Sequence, residues 1–415
     1  MPSPSLQGCI HGVLRSECRA QTRYTMTPWQ QDWQQKLAQR RAQHRWRQPR
    51  VLDSAQGVRV ITQGREYLSF TSNDYLGLAN HPLLKTALQH ASDEYGTGSG
   101  ASHLLGGHSR VHQQLEEALA AFTGRDRALL FSTGYMANLG VLTALTNKGD
   151  CILQDKLNHA SLIDGGLAAA AENRRYLHVN THSLHQHLLR CANRKTLVAT
   201  DGVFSMDGDL APLPALAALC AEFQSLLVVD DAHGFGVLGN TGAGCCEQFQ
   251  LSQTDVPVLM GTLGKALGSF GAFVAGSHDM IDMLIQFARP DIYTTALPPA
   301  QAAVSLAALN VLHSEAWRRE QLQSRIAFFQ QQATARHLTV LPSPTAIQPL
   351  LVGSSARTLA VDAALQEHGF LVGAVRPPTV ADGSARLRIT LCTDHTEQDI
   401  TRLLDALVVI LQRHT

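Results

Sequence analysis

At several places in this chain a short apolar run is followed directly by residues that can do chemistry. Ala128–Phe131 leads into Ser132-Thr133-Gly134-Tyr135. Cys151–Leu153 leads into Gln154-Asp155 and then His159. Thr196–Thr200 leads into a segment from Asp201 through Ser205 to Asp209. Leu226–Val229 leads into Asp230-Asp231-Ala232-His233-Gly234, and Val256–Met260 into Gly261-Thr262-Leu263-Gly264-Lys265-Ala266. Ligands of open parallel sheets bind at the carboxyl ends of the strands. If these runs are strands of one sheet, their polar followers converge on one edge of it. Each cluster alone also reads as a loop or a helix cap; it is their co-occurrence that points to a site.

Lys265 is the sharpest member. It is one of six lysines among 34 basic residues, and it stands among Gly261, Gly264, Ala266, Gly268, Ser269 and Gly271. The other five, Lys36, Lys85, Lys148, Lys156 and Lys195, lie in polar helical or turn-like sequence. A phosphate-binding loop of the form G-x-x-x-x-G-K-[ST] is excluded, because the first glycine is too close and Ala266 follows the lysine. A lysine in a tight apolar site has its amine pKa lowered, as a lysine that binds a carbonyl covalently requires. A pyridine-ring electron sink in turn needs an acid against its ring nitrogen. Asp230, ending a buried run, fits, and a carboxylate buried there without a cationic partner would cost several kcal/mol. Strand alternation turns Asp231 to the opposite face, while His233 can donate to a phenolic oxygen on the ring. The strand-to-helix turn at Gly134 and Tyr135 offers backbone N–H groups to an anion such as phosphate.

The elements that must hold these residues follow from periodicity. A polar stretch from Trp29 to Arg47 reads as a surface helix that Pro49 ends. Val58–Ile61 and Glu66–Phe70 read as a hairpin turning at Gln63-Gly64. Ser109 caps a helix with Val111, Leu115, Leu119 and Phe122 on one face and Gly124 as its stop. The runs named above, with Gly271–Ala275, alternate with helical patterns, which gives an α/β domain with a mostly parallel, doubly covered sheet. Beyond it come a helix from about Pro299 to His337, a strand at Ala346–Val352, and a helix at Ala356–His368. Strands at Phe370–Val375 and Ala385–Leu391 and a last helix at Thr396–Gln412 complete a smaller C-terminal α+β domain. The expected organisation is an N-terminal extension over 1–28, disordered, then a helix and hairpin over 29–70. A large domain over 71–310 and a small domain over 311–415 follow.

Composition narrows the classes. The 415 residues are 45% hydrophobic and only 16% charged, against about 25% charged in an average soluble chain, so a large core and further burial in an oligomer are expected. Lys+Arg and Asp+Glu balance at 34 each, which gives no basic footprint for nucleic acid. No apolar run of about 18 residues suggests a membrane span. The eight cysteines show no C-x-x-C spacing, so a reduced cytoplasmic compartment is expected. Nineteen histidines include His182, His185 and His187 in one amphipathic stretch, yet no H-E-x-x-H occurs and no metal is expected.

S-N-D-Y-L-G-L (Ser72–Leu78), Y-G-T-G-S-G (Tyr95–Gly100), D-G-V-F-S-M-D-G-D (Asp201–Asp209), V-D-D-A-H-G (Val229–Gly234), G-T-L-G-K (Gly261–Lys265), Y-T-T-A-L-P-P (Tyr293–Pro299) and R-P-P-T-V (Arg376–Val380) together carry a resemblance. From about Trp29 to Gln412 the chain resembles the α-oxoamine synthases, pyridoxal 5'-phosphate (PLP) enzymes of the aspartate-aminotransferase fold type, fold type I. The resemblance implies that Lys265 binds PLP covalently and later moves protons. It implies that Asp230 pairs with the pyridine nitrogen and that His159 stacks on the ring. Ser205 and His233 would hold the ring oxygen, and Gly134, Tyr135 and Thr262 the phosphate. Arg376 would grip the amino-acid carboxylate, Asn73 line the pocket, and Arg47 and Thr379 contact the acyl substrate. A homodimer is implied too, with Thr294 or Thr295 reaching the neighbour's phosphate. R-P-P-T-V and the A-H-G after the paired aspartates favour, within the family, condensation of L-alanine with a pimeloyl thioester (CoA or acyl-carrier protein) in biotin biosynthesis. The nearest alternative condenses glycine with a small acyl-CoA. A nucleotide-binding α/β protein is disfavoured by the failed phosphate loop and the absence of G-x-G-x-x-G, and a non-catalytic PLP-binding protein would lack turnover. One departure is His103, where the family usually has arginine; it puts an acyl-carrier contact there in doubt.

Overall fold

A computed structural model describes residues 26–414. Two units divide the chain, Met1–Gln48 and Pro49–Thr415. In the first, Thr27 and Gln30 form a capping box that starts a helix at Pro28–Ala42. The helix ends before the expected Arg47, because His44 takes a left-handed φ of 55° ahead of the proline.

In the second unit twelve strands form two sheets: β1 (Arg59–Thr62), β2 (Arg65–Phe70), β3 (Arg127–Phe131), β4 (Cys151–Asp155), β5 (Glu172–Tyr176), β6 (Thr196–Asp201), β7 (Leu226–Asp230), β8 (Val258–Thr262), β9 (Ala272–Gly276), β10 (Ile347–Gly353), β11 (Phe370–Val375) and β12 (Ala385–Thr390). The larger sheet has the order β3-β9-β8-β7-β6-β4-β5 and is parallel except for β9, which runs antiparallel to both neighbours. Helices cover both faces, so β4 and β6 are buried along their whole length. β6, β7 and β8 add in one direction from β4 while β5 adds in the other. That reversal opens a crevice at the carboxyl ends of β4 and β6.

The smaller sheet runs β1-β2-β11-β12-β10. Its hairpin turns through Gln63 and Gly64, both at positive φ, as a two-residue turn requires. β2 then pairs in parallel with β11, Leu68 opposite Phe370. Two expectations need correction. β5 was not foreseen, because Glu172–Tyr176 carries charge on most positions and buries only Tyr176, as an edge strand can. The single long helix from Pro299 is two, Pro299–Ser314 and Trp317–Ala335, separated at Glu315, whose carboxylate is bound by Arg318 at 2.7 Å. No described helix is long and apolar enough to cross a membrane.

Candidate active site

The larger sheet delivers its strand-end residues to one cleft of about 190 Å³. Gly134 and Tyr135, His159, Ser205, Asp230, His233, Thr262 and Lys265 all line it, joined by Ser161, Asp201 and Met260. Asp230 is the last residue of β7 and is 4% exposed. Its Oδ1 accepts the Ala232 N–H at 3.0 Å, and its Oδ2 accepts the Asn138 amide at 2.6 Å. Asp231 serves other contacts, as strand alternation requires: its Oδ2 accepts the Cys245 N–H at 2.7 Å, and burial lifts its carboxyl to about 7.

Lys265 lies in the connection from β8 to β9. Its Nζ stands 3.0 Å from His233 Nε2. Burial lowers its pKa to about 8, against the opposing pull of Asp230 and Asp201. The turn that carries it is pressed onto the backbone of Leu78 and Ala79. A Cβ on Gly268, at φ +62°, would come within 2.3 Å of the Ala79 nitrogen. His233 is held neutral, well below the usual histidine range, by burial and by the charges of Lys265 and Arg388. Its Nδ1 stands 2.6 Å from the Tyr75 hydroxyl.

His159 caps the helix Ala160–Ala168. Its Nδ1 accepts from the Ser161 N–H at 3.3 Å and lies 2.7 Å from Ser161 Oγ. The Asn138 amide reaches that same Oγ at 2.8 Å. Asn138 thus donates to both Asp230 and Ser161, which leaves the Ser161 hydroxyl proton for His159 and places the His159 ring proton on Nε2. Burial lowers the His159 pKa, so the neutral ring is the ordinary form. Asp201 Oδ2 accepts the His159 N–H at 3.0 Å. Its other oxygen is buried with no partner, and burial and then the charge of Asp230 raise its pKa well above the usual range.

The remaining expected residues are not part of the cleft lining. Asn73 Oδ1 accepts from Tyr75 at 3.3 Å and from Arg388 at 3.1 Å, so it stands behind His233. Arg376 and Thr379 share the loop after β11, where the Thr379 N–H donates to the Arg376 carbonyl. Arg47 belongs to the N-terminal unit. His103 is set in a cluster with His108 and His112: its Nδ1 is 2.8 Å from that of His108, and burial and the two neighbours lower its pKa to about 4. Among the described residues no group of three or more His, Cys, Asp or Glu is placed to hold a metal.

Sequence reasoning missed Tyr75, Asn138, Ser161 and Arg388. Asn138 carried a signal only as a polar residue inside an otherwise apolar segment, M-A-N-L-G-V, and Tyr75 only as a member of the S-N-D-Y-L-G-L motif, with no role attached. Arg388 gave none, yet from β12 it ties Ser205 O at 2.6 Å and Asn73. The fit to a phosphate-bearing pyridine aldehyde can be tested on these groups. A lowered-pKa amine faces the cleft, a carboxylate ends β7 in its wall, the helix Gly134–Ala144 opens its N-terminus onto it, and the Asp201 oxygen is orphaned. The residues fit.

The aminotransferase class I and II family matches residues 65–407. The chain belongs to this family. Among curated members, the 8-amino-7-oxononanoate synthase of Cellvibrio japonicus is 57% identical over 88% of this chain and 92% of its own length. That of Stutzerimonas stutzeri is 58% identical over 88% and 93%. Among solved family structures, the serine palmitoyltransferase of Sphingomonas wittichii superposes with a TM-score of 0.87 at 30% identity, covering 92% of this chain and 98% of that one. The 8-amino-7-oxononanoate synthase of Francisella tularensis gives 0.74 at 33% identity, covering 84% and 98%.

Proposed function

We propose that this member of the aminotransferase class I and II family catalyses 8-amino-7-oxononanoate synthesis, the decarboxylative condensation of L-alanine with a pimeloyl thioester on CoA or an acyl-carrier protein. It is a PLP-dependent acyl-transferring enzyme. The observation that carries the site assignment is the juxtaposition of Lys265, with its lowered pKa, His233 and Asp230 in one cleft. PLP supplies the electron sink that lets an amino acid lose its α-proton and attack an acyl carbonyl.

The residues divide the remaining work. At a pKa of about 8, roughly a tenth of Lys265 is free amine at pH 7, where an ordinary lysine leaves fewer than about one in a thousand. That amine would hold the carbonyl cofactor and would take and return the substrate's α-proton. Asp230 would face the pyridine nitrogen, with both oxygens fixed by Ala232 and Asn138. His159 would face the cofactor ring as a neutral ring. Ser205 and His233 hold the ring oxygen, and Gly134, Tyr135 and Thr262 hold the phosphate, the first two through backbone N–H groups. Arg376 grips the alanine carboxylate, Asn73 backs His233 through Tyr75, and Thr379 contacts the acyl chain. A homodimer completes the assembly. In support, Leu105 and Tyr293 are 82% and 70% exposed on two segments that the Ser102–Thr295 bridge ties together.

An absorbance scan of protein loaded with PLP, with and without L-alanine, followed by mass spectrometry of the product formed with pimeloyl thioester, tests the activity. A spectral change with alanine and a mass matching 8-amino-7-oxononanoate are expected. A response to glycine and acetyl-CoA in place of these substrates would contradict the assignment.

A further inference from the structure

We propose that Tyr75 is the positioning residue that lets His233 exchange its ring proton between Nδ1 and Nε2 as the nitrogen of Lys265 alternates between donor and acceptor. The inference rests on the assignment of Lys265 and His233 to the cofactor site.

Four side chains form an unbroken line. Lys265 Nζ is 3.0 Å from His233 Nε2, His233 Nδ1 is 2.6 Å from Tyr75 Oη, and Tyr75 Oη is 3.3 Å from Asn73 Oδ1. The far end has a fixed sense, because Arg388 Nη2 donates to Asn73 Oδ1 at 3.1 Å and only an oxygen can stand there. The near end does not. As an ammonium Lys265 can only donate, so Nε2 accepts and the proton of the neutral ring sits on Nδ1. It points at Tyr75, whose own O–H turns to Asn73. Every donor then has an acceptor.

A free amine is a weak donor with a lone pair to offer, so once Lys265 has lost its extra proton, or once a cofactor's ring oxygen takes its place against His233, Nε2 donates and Nδ1 must accept. The Tyr75 O–H is the one neighbour of Nδ1 that can serve it, by turning from Asn73 to His233. The heavy atoms stay in place. One proton leaves the line, from the lysine nitrogen; His233 and Tyr75 hold one each throughout. A hydroxyl accepts and donates by rotation alone, which neither an amide nor a phenyl ring can do. Tyr75 is 1% exposed, so no bulk water substitutes for it.

The charges around the line favour the neutral ring. Lys265, Arg388 and His159 face His233, and Asp230, Asp201, Arg388 and Asp231 act on Lys265. Arg388 also lies beside Tyr75, whose phenol burial holds above its usual range, so it keeps its proton. Without the hydroxyl, an Nδ1–H in this pocket has no acceptor, which disfavours the ammonium form of Lys265.

The test is nitrogen NMR of the full-length protein labelled with ¹⁵N-histidine, with His233 assigned by difference against His233→Gln. Without cofactor, spectra at about pH 6.5 and about pH 9.5 bracket the Lys265 titration. A third spectrum follows loading with PLP, and loading is read separately from the cofactor's absorbance. In the native protein the proton moves from Nδ1 at the lower pH to Nε2 at the higher pH and again on loading. In Tyr75→Phe one tautomer persists under all three conditions. A native ring with the same tautomer at both pH values overturns the proposal even where Tyr75→Phe does not fold, as does a Tyr75→Phe protein that switches like the native one. Failure of PLP to load counts against the site assignment alone, since the two pH spectra still decide the role of Tyr75.

Discussion

Asp230 works through its neighbours. Asn138 is fully buried and spends both amide hydrogens, one on Asp230 and one on Ser161. Asn138→Leu keeps the approximate volume but strips a buried carboxylate of a donor, which costs about 1–3 kcal/mol. Denaturant melts should show that loss, with weakened PLP retention measured by dialysis; unchanged retention would remove Asn138 from the support of the site. Asp230→Asn keeps the shape and removes the carboxylate proposed to hold the pyridine nitrogen protonated. Exchange of the alanine α-proton in deuterated water should then collapse. Normal exchange would mean that the charge of Asp230 is not what the sink depends on. At this scale the sequence discloses the strand-end residues, because a polar group directly after an apolar run marks itself. It does not disclose their partners. Asn138 lies 92 positions from Asp230 and Tyr75 lies 158 from His233, and a single sequence has no register that links such distant segments.

At the scale of elements, the site is framed by connections that other parts of the fold clamp. The loop from Asp201 to Asp209 is held by Arg388 at Ser205 and by Arg386 at Asp207, both from β12. On its other side His178 bridges Asp155 and Asp209, at 2.9 Å to each. Burial opposes a charge on His178, but the two carboxylates outweigh it and raise its pKa to about 9. A folded pKa above the unfolded value of about 6.5 contributes stability that is complete below pH 6.5 and lost as pH rises through 9. The melting temperature of the native protein should therefore fall between about pH 7 and pH 9 more steeply than that of His178→Gln. Parallel curves would show that the bridge does not supply this term. Gly268→Ala should displace the turn that carries Lys265, because its Cβ meets backbone rather than a yielding side chain; less PLP bound per folded chain is the expected outcome. The strands of the larger sheet are legible because burial on both faces writes continuous apolar runs. β5 is not, since an edge strand needs no such run, and the break at Glu315 has neither proline nor glycine to announce it. The parallel pairing of β2 with β11 joins segments some three hundred residues apart, which no local pattern encodes.

For the whole molecule, the proposed homodimer rests on the low charged fraction and on the exposed apolar residues of the segments around Leu105 and Tyr293. Light scattering should give twice the mass of 45.0 kDa at assay concentrations, and a fully active monomer would contradict the dimer. Fold, cleft and chemistry meet in one proposed bond, between PLP and Lys265. Borohydride reduces a C=N link to a stable secondary amine, so reduction of the PLP-loaded protein followed by peptide mapping reads that bond directly. The pyridoxyl mass should lie on Lys265 and on none of Lys36, Lys85, Lys148, Lys156 or Lys195. Label on any of those five, or none on folded protein supplied with PLP, would contradict the account.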